Sequence, residues 1–300
     1  MQKVLIIVGP TASGKSALAV RLAQRFHGEV ISADSRQVYR GLDIGTGKIS
    51  KREMKGVPHH LLDVASPKRV FTAGDFVRLA RKEIDMIYHI NRLPIIVGGT
   101  GFYIDALVGR VALPEVAPNA ALRKRLRGKS ASQLFLMLKR ADPSRATSMN
   151  TPSERNNKVR LIRALEIAAA FDSIPMNDIV SRSYDALWLG IAPSIHALEG
   201  RISKRLAERL KRGMVGEAKK LHAAGLSYRR MEELGLEYRS LARHLQGRIS
   251  KDEMIAEISR DIRRYAKKQL AYWKRNKHIK WFKAGETEKA AREVRHWVRA

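Results

Sequence analysis

Residues 4–16 read VLIIVGPTASGKS, and this stretch decides the fold class. Its first five residues form a short apolar run typical of a buried strand, and SALAVRLAQRF (16–26) continues with the spacing of an amphipathic helix. Between them, Gly9–Ser16 fits the phosphate-loop pattern G-x-x-x-x-G-K-[ST], which requires a strand before it and a helix after it. The sequence therefore predicts a loop that binds phosphate groups.

The chemistry of this loop follows from its residue types. Glycines allow backbone N–H groups to turn inward around an anion, and the N-terminus of the following helix adds its dipole. Lys15 is expected to reach phosphate oxygens, and Ser16 is expected to hold a magnesium ion. The motif positions any diphosphate or triphosphate, so by itself it predicts binding and not a reaction. The predicted diphosphate-binding residues are Gly9, Pro10, Thr11, Ala12, Ser13, Gly14, Lys15 and Ser16.

Strands and helices alternate along the first hundred residues, which predicts an α/β fold of the P-loop NTPase type: a parallel sheet with helices on both faces. From about Val111 the chain becomes a series of helical segments. We therefore predict a catalytic core made of residues 1–111 and 180–300, interrupted by a helical insertion at 112–179. The further predicted strands are EVISA (29–33), LPIIVGG (93–99), ALWLGIAP (186–193) and KHIKWF (277–282).

The expected acidic partner of an NTPase magnesium site is missing from its usual place. The strand LPIIVGG runs into Thr100 and Gly101 without a carboxylate, and Asp34 instead follows the strand EVISA. Because the carboxyl ends of parallel strands share one edge, Asp34, Thr100 and the phosphate loop should converge on one crevice. A lone Asp after a strand is also a common helix cap or turn residue.

The amino-acid composition indicates which class of partner the protein binds. The 300 residues carry 58 Lys and Arg against 29 Asp and Glu, a formal net charge of +29, and no cysteine. Such a charge favours a polyanionic partner, although a solvated basic surface is the alternative. Disulfides and thiolate metal sites are excluded. No apolar run is long enough to span a bilayer and no leader pattern is found, so we expect a cytoplasmic protein.

Four motifs together resemble the tRNA dimethylallyltransferase family, the isopentenyl transferases that act on tRNA. Beside the phosphate loop, DSRQVYRGLDIGTGK (34–48), PHHLLDV (58–64) and GGTGFYI (98–104) stand in the family's order. The resemblance resumes in KVRLIRALEI (158–167) and continues to the C-terminal part of the chain. It departs from the family at MNTPSERNNKVR (149–160) and at Tyr272, where tryptophan is common.

The resemblance implies transfer of a dimethylallyl group from dimethylallyl diphosphate to N6 of adenosine 37, beside the tRNA anticodon. It implies that Asp34 acts as general base, that Thr100 lines the reaction channel and that Arg263 approaches the pyrophosphate. It further implies that Mg²⁺ is the cofactor and that tRNA is the macromolecular partner. We expect a monomer, because tRNA must wrap the core without a partner subunit blocking it. The residues implied to contact tRNA are Ser35, Arg36, Gln37, Arg123 and Arg160.

Other interpretations of the same residues remain open at this point. A P-loop small-molecule or nucleoside kinase would use Asp34 to activate a hydroxyl, an RNA-binding protein would use the loop as a nucleotide switch, and an adenylate isopentenyltransferase would modify free AMP. The basic runs at 123–129, 204–212 and 260–268 are candidate tRNA surfaces or solvated helix faces. Tyr265, Tyr272 and Trp273 are expected in the core, and His59 and His60 in a structural role.

Overall fold

The computed structural model describes residues 1–114, 116–149, 151–171 and 184–300. These residues fall into two compact units, Met1–Val111 with Arg182–Ala300 and Ala112–Ser181. The C-terminal boundary that the sequence predicts for the insertion, at 179/180, lies outside the described residues. In the part of the chain that is described, no helix is both long and apolar enough to cross a membrane.

The larger unit is built on a parallel sheet whose strand order is β3-β2-β4-β1-β5-β6 among the described residues. This order confirms the predicted α/β parallel sheet. The short strand β3 is the one that the sequence analysis missed. The strands are β1 (Lys3–Val8), β2 (Gly28–Ser32), β3 (His59–His60), β4 (Leu93–Gly98), β5 (Asp185–Ile191) and β6 (Lys280–Phe282).

Both faces of the sheet are covered, because successive side chains of the central strand β1 point to opposite sides and those of residues 4–8 are all buried. Leu5 and Ile7 pack in one core cluster with residues of α1 and α15, whereas Val4 and Ile6 are equally inaccessible on the other face. The helices of this unit are α1 (Lys15–Arg25), α2 (Lys51–Met54), α3 (Ala73–His89), α4 (Gly101–Leu107), α10 (Ile195–Lys211), α11 (Met214–Ala223), α12 (Tyr228–Leu234), α13 (Leu236–Leu245), α14 (Lys251–Lys274) and α15 (Thr287–Arg299).

The register of the sheet brings the candidate site together. Ile7 of β1 lies opposite Val97 of β4 and opposite Leu189 of β5, so these strands end at one edge. The phosphate loop leaves β1 at this edge, and α14 packs against α10, α13 and α4. Helix α14 starts at a capping box in which Ser250 and Glu253 satisfy each other's backbone donors.

The smaller unit is helical and has its own core. A cluster of leucines that includes Leu126, Leu134, Leu138 and Leu161 is fully buried within it. An apolar core of this kind is what holds short helices together in water. The helices of this unit are α5 (Ala120–Leu126), α6 (Ala131–Ala141), α7 (Pro143–Ser148), α8 (Pro152–Arg155) and α9 (Lys158–Ala170).

Candidate active site

The phosphate loop has the strained backbone that its glycines permit. Gly9 has a φ of 153° and Gly14 a φ of 97°, and a Cβ atom on Gly9 would lie 2.6 Å from the carbonyl oxygen of Ile191. The side chain of Lys15 folds back over the loop, where its Nζ donates to the Pro10 carbonyl at 3.2 Å. The loop thus surrounds a space in which the ammonium group can exchange this carbonyl for a phosphate oxygen.

The surroundings of Lys15 in the loop shift its pKa from the ordinary value. Burial lowers its pKa to about 8, the negative charge of Asp34 opposes this shift, and the positive charge of Arg205 adds to it. The charges of Asp34, after β2, and of Arg205, on α10, therefore both act on the Lys15 ammonium group. Asp34 thus lies close enough to the phosphate loop to influence its charge.

Asp34 and Thr100 hold the loop that follows β2. Asp34 Oδ1 accepts the backbone N–H groups of Arg36, at 2.9 Å, and Gln37, at 3.4 Å. The backbone N–H of Ser35 donates to Thr100 Oγ1 at 3.0 Å. Among the described residues no donor lies on the second oxygen of Asp34. One carboxylate oxygen is thus fixed by the backbone, and the other is available to a proton.

Gln269 on α14 joins the phosphate loop to the end of β4. Its Oε1 accepts the backbone N–H of Thr11 at 2.8 Å, and its Nε2 donates to the Gly99 carbonyl at 3.0 Å. The residue is 5% exposed, and a Cβ atom on Gly99 would lie 2.0 Å from its Nε2. The glycines after β4 are therefore needed for this amide to approach. The sequence analysis did not single out Gln269.

Tyr265 lies one helical turn before Gln269, on the same face of α14. Its hydroxyl lies near the side chains of Thr100 and Gln269, and burial together with the charge of Asp34 raises its pKa to about 12. The sequence predicts this tyrosine in the core; it is half-buried instead, and its phenol lies beside the site. Trp273 is fully buried as expected.

Two arginines of α10 supply positive charge beside the loop. Arg201 Nη1 donates to the carbonyl of Ser13 at 3.2 Å, and Arg205 lies near enough to lower the pKa of Lys15. The sequence analysis did not single out either residue; the basic run at 204–212, which includes Arg205, was considered only as a tRNA surface. Their spacing of four residues, about one turn of α10, was the sequence signal that could have placed both on one face of the helix.

Arg263 is placed differently from Tyr265 and Gln269. It is exposed, its Nη2 donates to Ser259 Oγ at 2.7 Å, and it lines a cavity of about 170 Å³ between α14 and α10. Two residues correspond to about 200° around a helix, so Arg263 and Tyr265 project from nearly opposite faces. None of the contacts of Arg263 joins it to Lys15 or Asp34.

The predicted tRNA-binding arginines of the helical unit have different surroundings. The guanidinium of Arg123 is bound by the buried carboxylate of Glu166, with N···O distances of 2.6 and 2.9 Å. Arg163 donates to the same carboxylate at 3.2 Å. Arg160 is exposed and lies 3.6 Å from Glu154. Arg123 is therefore a partly exposed residue bound to a buried carboxylate, and Arg160 faces solvent.

His59 and His60 lie on β3, at the edge of the sheet. The ring of His60 is held between two carboxylates: Nε2 is 2.6 Å from Glu29, and Nδ1 is 2.9 Å from Glu83. His59 Nδ1 lies 2.9 Å from the carbonyl oxygen of Val57. Within the described ranges, no group of three or more His, Asp or Glu is arranged to hold a metal ion.

Comparison with known proteins agrees with this geometry. Residues 37–276 match the model of the IPP transferase family. The chain is 38% identical to tRNA dimethylallyltransferase 1 of Geotalea uraniireducens over 97% of this chain and 96% of that protein. The crystal structure of the tRNA isopentenylpyrophosphate transferase of Bacillus halodurans superposes with a TM-score of 0.74 at 33% identity, covering 100% of this chain and 97% of that one.

A more distant structure completes the comparison. A eukaryotic dimethylallyltransferase, captured in crystallographic snapshots acting on tRNA, matches with a TM-score of 0.80 at 25% identity, covering 95% of this chain and 74% of that one. The motifs, the parallel sheet and these matches agree from one end of the chain to the other. This chain belongs to the tRNA dimethylallyltransferase family, also called the IPP transferases.

Proposed function

We propose that this protein transfers the dimethylallyl group of dimethylallyl diphosphate to N6 of adenosine 37 in the anticodon loop of tRNA. The observation that carries the proposal is the juxtaposition of Asp34 with Lys15 at one edge of the sheet, while β4 ends in glycines and threonine. A carboxylate beside a phosphate loop, and not at the end of β4, suits proton removal from an acceptor better than nucleotide hydrolysis. The family matches do not favour the kinase alternative.

The diphosphate is the leaving group, and its charge must be neutralised as the C–O bond breaks. The backbone N–H groups of the phosphate loop, the ammonium of Lys15 and the guanidinium groups of Arg201 and Arg205 would supply this support. Arg201 contacts the loop and the charge of Arg205 acts on Lys15, so both are better candidates than Arg263 for this task. The loop residues Gly9–Ser16 would form the cradle.

Asp34 would accept the proton of the N6 amino group as the new C–N bond forms. N6 is a weak acid, so its proton must leave during bond formation and not before it. The two backbone donors on Oδ1 fix the carboxylate and leave the other oxygen for the amino group. Thr100, which holds the loop after β2, and Tyr265 beside it would line the channel through which the base enters.

Mg²⁺ fits the residues that are present. Ser16 offers an exposed hydroxyl at the start of α1, and Mg²⁺ commonly binds through one or two protein groups together with substrate phosphate oxygens and water. Ser16 would hold the ion, and the ion would offset charge on the diphosphate. The absence of a ready cluster of three acidic or imidazole ligands in the described residues suits an ion that arrives with its diphosphate.

The tRNA would present an unstacked adenosine to the crevice, because N6 is out of reach inside the anticodon stack. Ser35, Arg36 and Gln37 border Asp34 and would contact the extruded nucleotide. The net charge of +29 would provide phosphate contacts and a steep salt dependence. Arg160 would meet tRNA, whereas the contact of Arg123 with Glu166 gives it a structural role. We place this activity in a monomer in the cytoplasm, consistent with the absence of cysteine.

The direct test is prenyl transfer from labelled dimethylallyl diphosphate to an unmodified tRNA transcript with A36-A37-A38. We expect one prenyl group per tRNA, located at position 37 by nuclease digestion and mass spectrometry. The matched control is the same transcript with G37, which offers no N6 amino group and should receive no label. Phosphate transfer from ATP without prenyl transfer would replace this proposal with the kinase.

A further inference from the structure

The segment GLDIGTGK (41–48) has no role in the mechanism so far, yet it is held unusually firmly. Three consecutive backbone N–H groups, of Asp43, Ile44 and Gly45, donate to the carboxylate of Glu217 at 3.0, 2.6 and 2.9 Å. The hydroxyl of Tyr238 donates to the same carboxylate at 2.6 Å. Successive N–H groups of this kind form an anion-binding nest, and here the anion is a side chain of α11.

A second buried contact fixes the other side of the same segment. Arg209 Nη1 donates to the Gly45 carbonyl at 2.6 Å and to Glu237 Oε1 at 2.9 Å. The side chains of Arg209 and Glu237 are 11% and 10% exposed. A buried ion pair is retained at a large desolvation cost, so its effect here lies in where it places the Gly45 carbonyl.

The segment leads directly to the phosphate site. Gly47 has a φ of +61°, and a Cβ atom added to it would lie 3.2 Å from Arg205 Nη2 and 3.8 Å from the Cδ of Arg209. The backbone of Gly47 is therefore the surface against which the Arg205 guanidinium lies. Arg205 lies one turn of α10 after Arg201, which contacts the phosphate loop at Ser13, and its positive charge acts on Lys15. The carboxylate of Glu217 thus connects to the phosphate site through one short piece of backbone.

We propose that Glu217 and Arg209 are positioning residues that hold Gly45–Gly47 so that Arg205 stays beside Lys15 and faces the diphosphate. The identity of the substrate rests on the proposed function, but the geometry concerns only a diphosphate. A merely structural nest would affect stability and leave diphosphate recognition unchanged. A positioning nest also changes the affinity for diphosphate.

The test uses inorganic pyrophosphate as the probe, with its dissociation constant measured by calorimetry on the full chain at pH 7. Glu217→Gln keeps the shape of the side chain and removes the anion that fills the nest. We expect pyrophosphate affinity to fall about tenfold at pH 7, as for the weakening of one charge-assisted contact. In prenyl transfer, KM for the diphosphate should rise by a similar factor, with kcat changed less than about threefold.

The split between KM and kcat separates positioning from stability, because a nest that only stabilised the fold would leave both constants of the folded protein unchanged. Gly47→Ala acts on Arg205 from the other side, since its added Cβ atom would lie 3.2 Å from Arg205 Nη2. It should reproduce the loss of pyrophosphate affinity and the rise in KM.

Glu257→Gln is the matched control. Glu257 accepts hydrogen bonds from Ser240 and Arg243, so it loses comparable contacts, but it lies apart from the 41–48 segment. We expect wild-type pyrophosphate affinity and a wild-type KM for the diphosphate. Unchanged affinity in both Glu217→Gln and Gly47→Ala would overturn the proposal. These titrations need no tRNA, so failure of prenyl transfer would reject the proposed function without deciding this one.

Discussion

The amide of Gln269 is the contact whose removal has the most defined consequence. In Gln269→Met the side chain keeps its length but loses both the acceptor for Thr11 N–H and the donor to the Gly99 carbonyl. Two buried backbone groups are then left without partners, each at about 1–3 kcal/mol. Because methionine retains most of the packing, we expect the free energy of unfolding to fall by about 2–4 kcal/mol.

The same change should affect the phosphate loop, because Thr11 lies within it. We expect pyrophosphate affinity to fall about tenfold, the equivalent of about 1.4 kcal/mol. Urea denaturation gives the stability, and calorimetric titration with pyrophosphate gives the affinity. Gln246→Met is the matched control, since its Nε2 donates only to the nearby Ala242 carbonyl, and its cost should stay within about 0.5 kcal/mol. A Gln269→Met protein with both wild-type stability and wild-type pyrophosphate affinity would refute the role of Gln269 in joining the phosphate loop to the end of β4.

Three further changes test other parts of the account. The pKa of Lys15 is about 8, against an ordinary value of 10.5. The positive charge of Lys15 therefore destabilises the folded protein below pH 8, and this cost is relieved as pH rises toward 10.5. Lys15→Met should raise the free energy of unfolding at pH 7 by about 2 kcal/mol while abolishing pyrophosphate binding. Arg123 holds the pKa of Glu166 at about 2, so the ionised Glu166 stabilises the fold fully above pH 4.5 and this stabilisation is lost as pH falls toward 2. Arg123→Leu should lower the free energy of unfolding by about 2–3 kcal/mol at pH 7 and flatten the acid dependence of thermal unfolding. A Cβ atom on Gly101 would lie 2.1 Å from the ring of Tyr272, so Gly101→Ala should cost about 1–3 kcal/mol in urea denaturation, whereas a wild-type midpoint would contradict the packing.

The fold was predictable where local pattern determines structure. Apolar runs such as VLIIV and LPIIV form central strands, and the phosphate-loop motif fixed the strand–loop–helix unit around Gly14. Strand β3 was missed because its two residues, His59 and His60, have neither apolar character nor alternation. Its pairing with β2 depends on the sheet already being formed.

The site was less predictable because distant segments complete it. Asp34 and Thr100 could be placed near the phosphate loop, since both follow parallel strands. Gln269 and Arg205 could not, because their roles depend on how α14 and α10 pack against the loop. The helical periodicity of α14 does place Arg263 and Tyr265 on different faces. It does not tell which of the two faces meets the site, because that depends on how α14 packs in the folded protein.

The central claim is that Asp34 removes the N6 proton. Its most direct test is the single-turnover rate of prenyl transfer to A37 tRNA by wild type and by Asp34→Asn, an amide of the same shape that cannot accept the proton. We predict a loss of about 10²–10⁴-fold in rate, with pyrophosphate affinity within about threefold of wild type. A rate within tenfold of wild type at unchanged affinity would contradict the claim and remove Asp34 as the base.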